Sequence, residues 1–209
     1  MKRIISVFLL LAYMQINAQQ PSFYQTIEKP LMTVKIDAKV KNVFIFFDSS
    51  YNENHIIING NIESHPYATM LNDTLFIVRQ STKKSKSDIL INIYLKQIPE
   101  NLILMADSRT IFTNLNTTYT KKLNITNFAN ADLSVCCIND LIIDSLNVIQ
   151  QKNSSIYFSK LSIKKYFYLK SQNALFQSSE SDISSKIQNK ILSNNSRIKI
   201  KGYTTKRNK

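Results

Sequence analysis

The sequence predicts an all-β chain with a repetitive C-terminal half, on three observations. Apolar and polar residues alternate in short runs, a period of two that sets one face of a strand on a core and the other in water. Glycine and proline are scarce, two and four in 209 residues, so turns fall to Asn, Asp and Ser, whose side chains bond the nearby backbone and tolerate left-handed conformations. From Asn101 onward an Asn followed by a small residue recurs about every 22 residues, the mark of a repeat architecture.

Ahead of the repeats, Met32 to Ile36, Val43 to Phe47, His55 to Ile58, Leu75 to Val78 and Ile89 to Leu95 read as strands. They are rich in Ile, Val and Phe and are separated by polar stretches such as Asp48 to Asn54 and Ser81 to Ser87. The repeats then run over residues 101–203. Their anchors are Asn130-Ala-Asp-Leu133, Asn153-Ser-Ser-Ile156, Asn173-Ala-Leu-Phe176 and Asn195-Ser-Arg-Ile198, with Ser108-Arg-Thr-Ile111 as a weaker first copy. Each is preceded by an alternating apolar pair: Leu102/Leu104, Leu123/Ile125, Leu146/Val148, Phe167/Leu169, and Ile191 with a less regular partner. A second alternation follows most anchors, as in Leu133/Val135, Ile156/Phe158 and Ile198/Ile200.

Two half-buried strands around a polar turn make one unit, and two architectures accommodate it. Each unit is either a coil of a β-solenoid, with the Asn residues laddered at one corner, or an antiparallel hairpin of a β-sandwich. A tight hairpin asks for a residue such as Gly after the Asn, where this chain has Ala or Ser. The near-constant repeat length also favours stacking. The expected fold is therefore a β-solenoid or β-helix-like stack behind a short-strand N-terminal region, with the sandwich as the alternative.

The N-terminus reads as an export signal over residues 1–18: Lys2 and Arg3, an apolar run from Ile4 to Tyr13, and Ala18 at the expected cut. That run is too short to span a bilayer. A single β domain over 19–209 follows, made of N-terminal strands over about 32–100, the repeats, and a basic tail at 204–209. The expected location is the periplasm, the cell surface or outside the cell, with no transmembrane segment after cleavage.

The chain carries a net charge of +13, of which Lys2 and Arg3 contribute two, so the mature part keeps +11. Such a surface suits acidic partners: an anionic glycan, lipid head groups or another envelope component, with nucleic acid not expected outside the cytoplasm. Much of the excess sits in Lys83 to Lys86 and in the tail from Lys199.

Chemistry is sparse. Cys136 and Cys137 are adjacent, and neighbours in a strand face opposite ways, so they do not bridge each other: one is expected in the core and one outside. His55 and His65 are the only histidine bases, one opening an apolar strand and the other preceding Pro66. Asp132, Asp140, Asp144, Glu180 and Asp182 do not share one repeat phase and so outline no acidic groove. No catalytic residue, metal site or cofactor is expected. The densest aromatic and cationic patch is Lys164-Lys-Tyr-Phe-Tyr-Leu-Lys170. Alternation turns Phe167 and Leu169 inward and Tyr166, Tyr168 and Lys170 outward with Lys165 beside them, an arrangement suited to stacking and pairing with an anionic glycan.

The order of parts resembles a known family. Val43-Phe-Ile-Phe46, His55-Ile-Ile-Ile58, the turn and strand Asn72-Asp-Thr-Leu-Phe-Ile-Val78, Ile89 to Leu95, Asn101-Leu-Ile-Leu104, the repeats and the closing Ser196-Arg-Ile-Lys-Ile-Lys-Gly-Tyr203 are similar to the head GIN domain family of auto-transporter adhesins. The likeness spans roughly Val40 to Tyr203. The family's Gly-Ser-Gly-Asp turns are replaced here by Asn-Ala and Asn-Ser, making this a glycine-poor, divergent relative. The resemblance implies a secreted β-helical body with an adhesive or surface role and no catalytic residues. The expected function is thus a non-enzymatic, exported structural, interaction or adhesin-like module. The alternatives are a carbohydrate-binding module and a β-helical carbohydrate-active enzyme.

Overall fold

The computed structural model describes residues 23–37, 42–59, 66–79, 89–105, 107–183 and 188–201. The signal segment and its cut after Ala18, His65, the Lys83 to Lys86 stretch and the tail at 204–209 lie outside them. Every regular element among the described residues is a strand.

Two nine-stranded sheets face each other across one core. The first sheet holds β1 (Phe23–Ile27), β4 (Asn54–Asn59), β7 (Leu90–Leu95), β3 (Asn42–Phe47), β9 (Arg109–Asn114), β11 (Asp132–Val135), β13 (Ser155–Phe158), β15 (Leu175–Ser178) and β18 (Arg197–Ile200), in that spatial order. The second runs β16 (Ser181–Ile183), β14 (Leu161–Gln172), β12 (Leu141–Gln151), β10 (Thr118–Asn127), β8 (Asn101–Met105), β2 (Thr33–Asp37), β6 (Thr74–Arg79), β5 (Pro66–Leu71), with β17 (Gln188–Asn194) also paired to β14. The five strands expected ahead of the repeats all form, within a residue or two of their expected bounds. The sequence reading missed β1 and β5: Phe23 to Ile27 is only five residues long, and β5 opens on Pro66, a residue that strands admit at their start or on a sheet edge and exclude elsewhere.

Among the described residues the sandwich alternative fits this layering of two mixed sheets, and the β-solenoid expected for the repeats is not shown. Strands of the first hundred residues enter the sheets out of sequence order, and β1–β4, β4–β7 and β5–β6 pair antiparallel. Within the repeats the pairing is nevertheless not that of hairpins. Each repeat gives one strand to each sheet, parallel to its predecessor: β8–β10–β12–β14 in one layer and β9–β11–β13–β15–β18 in the other.

The turn chemistry explains why the chain changes layer where it does. Asn130, Asn153, Asn173 and Asn195 have φ of 61°, 60°, 48° and 48°, left-handed positions that Asn tolerates best among residues with a Cβ. Their amides link successive corners, Asn130 N–H to Lys152 O at 2.9 Å, Asn153 N–H to Asn173 O at 2.7 Å and Asn173 N–H to Asn194 O at 3.0 Å. The weak first copy is shifted by one residue from its expected anchor. Asp107 takes the corner with φ 42°, Ser108 is the small residue after it, and Thr110, opposite Leu133, points inward. Ile111 therefore faces out.

The alternating apolar pairs fill the space between the layers. Leu102, Leu104, Leu123, Ile125, Leu146, Val148, Phe167 and Leu169 from the second sheet are all at most 2% exposed, as are Leu133, Val135, Ile156, Phe158 and Phe176 from the first. Burying each such side chain contributes about 1.5–3 kcal/mol. Phe176 bridges the layers near the C-terminal end, its ring 5.8 Å from Phe158 and 5.9 Å from Phe167.

Candidate functional site

The outward face of β14 carries the patch singled out in the sequence. Phe167 and Leu169 are fully buried, so the pleat turns Tyr166, Tyr168 and Lys170 to the other side. The tyrosines are half-buried against the sheet, and Lys165 and Lys170 are exposed. A register shift between Ile143 and Ser145 sets Lys165 beside β12. Its Nζ there meets Asp144 Oδ2 at 2.5 Å. The same carboxylate oxygen accepts the hydroxyl hydrogen of Tyr119, from β10.

Asp144 is thus the hub of a trio drawn from three successive repeats. Its side chain is 9% exposed while that of Lys165 is 70% exposed. The Lys165 hydrogen bond, followed by that from Tyr119, holds the Asp144 carboxyl below its ordinary range. The Asp144 hydrogen bond in turn raises Lys165. A carboxylate whose folded-state pKa is depressed stabilises the fold above its unfolded value of about 3.9, and that contribution fades as the pH falls through the folded value. Asp144→Asn should therefore melt below the native chain at pH 7, and the gap should close on titration from about pH 4 downward. A gap constant to the bottom of that range would show the charge to be unimportant.

A second feature adjoins the patch and was not read from the sequence. Asn101, Asn124 and Asn147 stack across β8, β10 and β12 in register. Asn147 Nδ2 donates to Asn124 Oδ1 and Asn124 Nδ2 to Asn101 Oδ1, each at 2.8 Å, and Asn101 Nδ2 reaches Thr33 Oγ1 at 3.1 Å. The next residue of this row is Tyr168, opposite Asn147. The ladder expected at the corner in fact runs along the outer face. At the corner the links are chiefly backbone, joined by side-chain bonds such as Asn130 Nδ2 to Asp107 Oδ1 and Ala174 N–H to Ser196 Oγ. Asparagine at a spacing of 23 within strands, as opposed to turns, was the available signal.

The remaining candidates are held in ordinary packing. His55 stacks between Tyr24 and Tyr94, with ring centroids at 5.5 and 4.5 Å, and Tyr51 meets it edge-on at 6.3 Å. Burial raises Tyr51 to about 12. Cys136 and Cys137 lie just past β11 and are both half-buried and free; Cys137 packs on the core. Burial lifts both thiols, Cys137 to about 12, which disfavours the nucleophilic thiolate. The acids are spread along the repeats and pair locally, Asp140 with Lys160 at 2.5 Å, Asp182 with Lys164 at 2.8 Å, and Asp132 with Arg109 at 3.9 Å. Among the described residues no group of three or more His, Cys, Asp or Glu is placed to hold a metal ion. No helix there is long and apolar enough to cross a membrane.

Fold and site together define a class: an all-β, two-layer repeat protein with a polar and aromatic outer face. No protein-family model matches the chain, and no curated protein matches it. Among solved structures, the chain is similar to a candidate lipid-binding protein from Parabacteroides distasonis, at 10% identity and a TM-score of 0.49 over 85% of this chain and 96% of that one. It is also similar to a candidate adhesin from Bacteroides fragilis, at 14% identity and 0.46 over 87% and 98%. A third likeness is a candidate adhesin from Parabacteroides merdae, at 10% and 0.40 over 85% and 94%.

Proposed function

We propose that the chain is a non-enzymatic, exported, adhesin-like module of the cell envelope, related to the head GIN domains, and that the outer face of its second sheet binds an anionic glycan. One observation carries the reading. Tyr166, Tyr168 and Lys170 share a face with the amide ladder of Asn101, Asn124 and Asn147. This row offers aromatic surface for sugar rings, amides for hydroxyls and a cation for an anionic group. Lys170 has no ion pair among the described residues, so its charge is available, whereas Lys165 is engaged by Asp144. The net charge of +13 and the leader-like N-terminus support the anionic partner and the exported setting. The raised thiols and the dispersed acids, of which Asp132, Asp140, Asp144 and Asp182 are each paired with a cation, favour binding over hydrolysis.

Chromatography on immobilised heparin tests this. Retention should fall with added salt, and Tyr168→Ala should weaken binding by roughly 1 kcal/mol, or about fivefold, with the fold intact. Lys170→Ala should flatten the salt dependence. Retention unchanged by Tyr168→Ala would discard the reading.

A further inference from the structure

The two ends of the sandwich differ. At the N-terminal end of the first sheet the edge strand is β1, antiparallel to β4 and without a cation in Phe23–Ile27. At the C-terminal end the edge is β18, parallel to β15. Its rows continue those of the core: Ile198 follows Leu133, Ile156 and Phe176, and Ile200 follows Val135, Phe158 and Ser178. The earlier members of both rows are at most 3% exposed, whereas Ile198 and Ile200 are only half-covered.

The backbone is oriented to match. Arg197 N–H donates to Ala174 O at 3.0 Å and Lys201 N–H to Ser178 O at 3.3 Å. In a parallel strand alternate residues direct their amides to opposite neighbours, so Ile198 and Ile200 aim theirs away from β15, at an edge where no further strand pairs among the described residues. On the outward side stand Arg197 and Lys199, with Lys201 just beyond. The whole stretch from Gln188 to Lys201 contains Lys190 as a fourth cation and no acid. None of the four has an ion pair among the described residues. An open cleft of about 400 Å³ lies at this end, lined by Ser178, Glu180, Lys199, Ile200 and Lys201 among others.

We infer that β18 is a docking edge for an extended segment of a partner protein in which acidic and apolar residues alternate, added to the first sheet as a further parallel strand. Its apolar residues cover Ile198 and Ile200, its acids lie beside Arg197 and Lys199, and its backbone takes the Ile198 and Ile200 amides, which no described strand pairs, the geometry of strand addition. The cations also select the occupant. They repel a second copy of this basic chain, as edge lysines commonly do, and attract an acidic strand. This edge is separate from the glycan-binding face proposed above.

A labelled peptide of alternating Glu and Ile is the probe, with a Lys/Ile counterpart and a peptide of the same composition in block order (Glu residues first, then Ile) as controls. Fluorescence anisotropy with the full chain should show saturable binding of the alternating acidic peptide alone. Arg197→Glu/Lys199→Glu, at exposed positions, should weaken it at least tenfold. Ile200→Pro, which removes an edge amide while sparing the bonds to β15, should do the same with little change in melting temperature. Tyr168→Ala should have no effect. Equal binding of the block-order peptide, full affinity in the Arg197→Glu/Lys199→Glu variant, or no binding at all would overturn the inference.

Discussion

Val148→Asp is expected to unfold several repeats at once. Val148 is fully buried and sits between Ile125 and Leu169 in the parallel register of β10, β12 and β14. A carboxylate placed there has no cation beside it, and an unpaired buried charge costs several kcal/mol. Total stabilities of folded domains are only about 5–15 kcal/mol. Stacked repeats draw their stability from the interfaces with their neighbours, so a defect at one interface is shared by both sides. Hydrogen exchange followed by mass spectrometry should show protection lost together across β10, β12 and β14 and in β11 and β13 opposite. Loss confined to the few residues around position 148 would contradict the coupling between repeats.

The corner comes second in expected effect. Asn153→Val places a β-branched side chain at φ 60°, directly after Lys152 at φ 57°. A left-handed conformation costs an L-residue about 1–2 kcal/mol, and more where the side chain branches at Cβ. Asn153→Gly should stay within about 1 kcal/mol of the native chain, since Gly takes positive φ freely and loses mainly unfolded-state entropy. Because Asn153 N–H bonds Asn173 O, substituting both positions with Val should depart from additivity. Urea midpoints for the single and double variants measure this. A Val variant as stable as the Gly variant would remove the left-handed corner as the reason for the recurring Asn.

Much of the strand content was legible because alternation is a local property. The inward pairs from Leu102/Leu104 to Phe167/Leu169 and the outward Tyr166, Tyr168 and Lys170 follow from the pleat alone. Contacts that depend on register were not legible. Tyr119, Asp144 and Lys165 meet only because three strands align within one layer, and the bulge that places Lys165 beside Asp144 leaves no mark in composition. The first repeat was misphased by one residue because Ser108 resembles an anchor while Asp107 performs as one. In a strand a one-residue offset exchanges faces, so Thr110 and not Ile111 falls in the buried row of Leu133.

By itself the sequence determined the β class, the repeat length and the left-handed corners at Asn130, Asn153, Asn173 and Asn195. These are set by the side chain's own conformational preferences and by the period of two. The tertiary structure alone decided that the repeats divide between two facing layers, that the N-terminal strands enter those layers out of order, and that Asn101, Asn124 and Asn147 form one ladder. Strand order and sheet register are fixed by backbone hydrogen bonds between distant segments and by burial against the opposite layer, neither of which is encoded within any one run of residues.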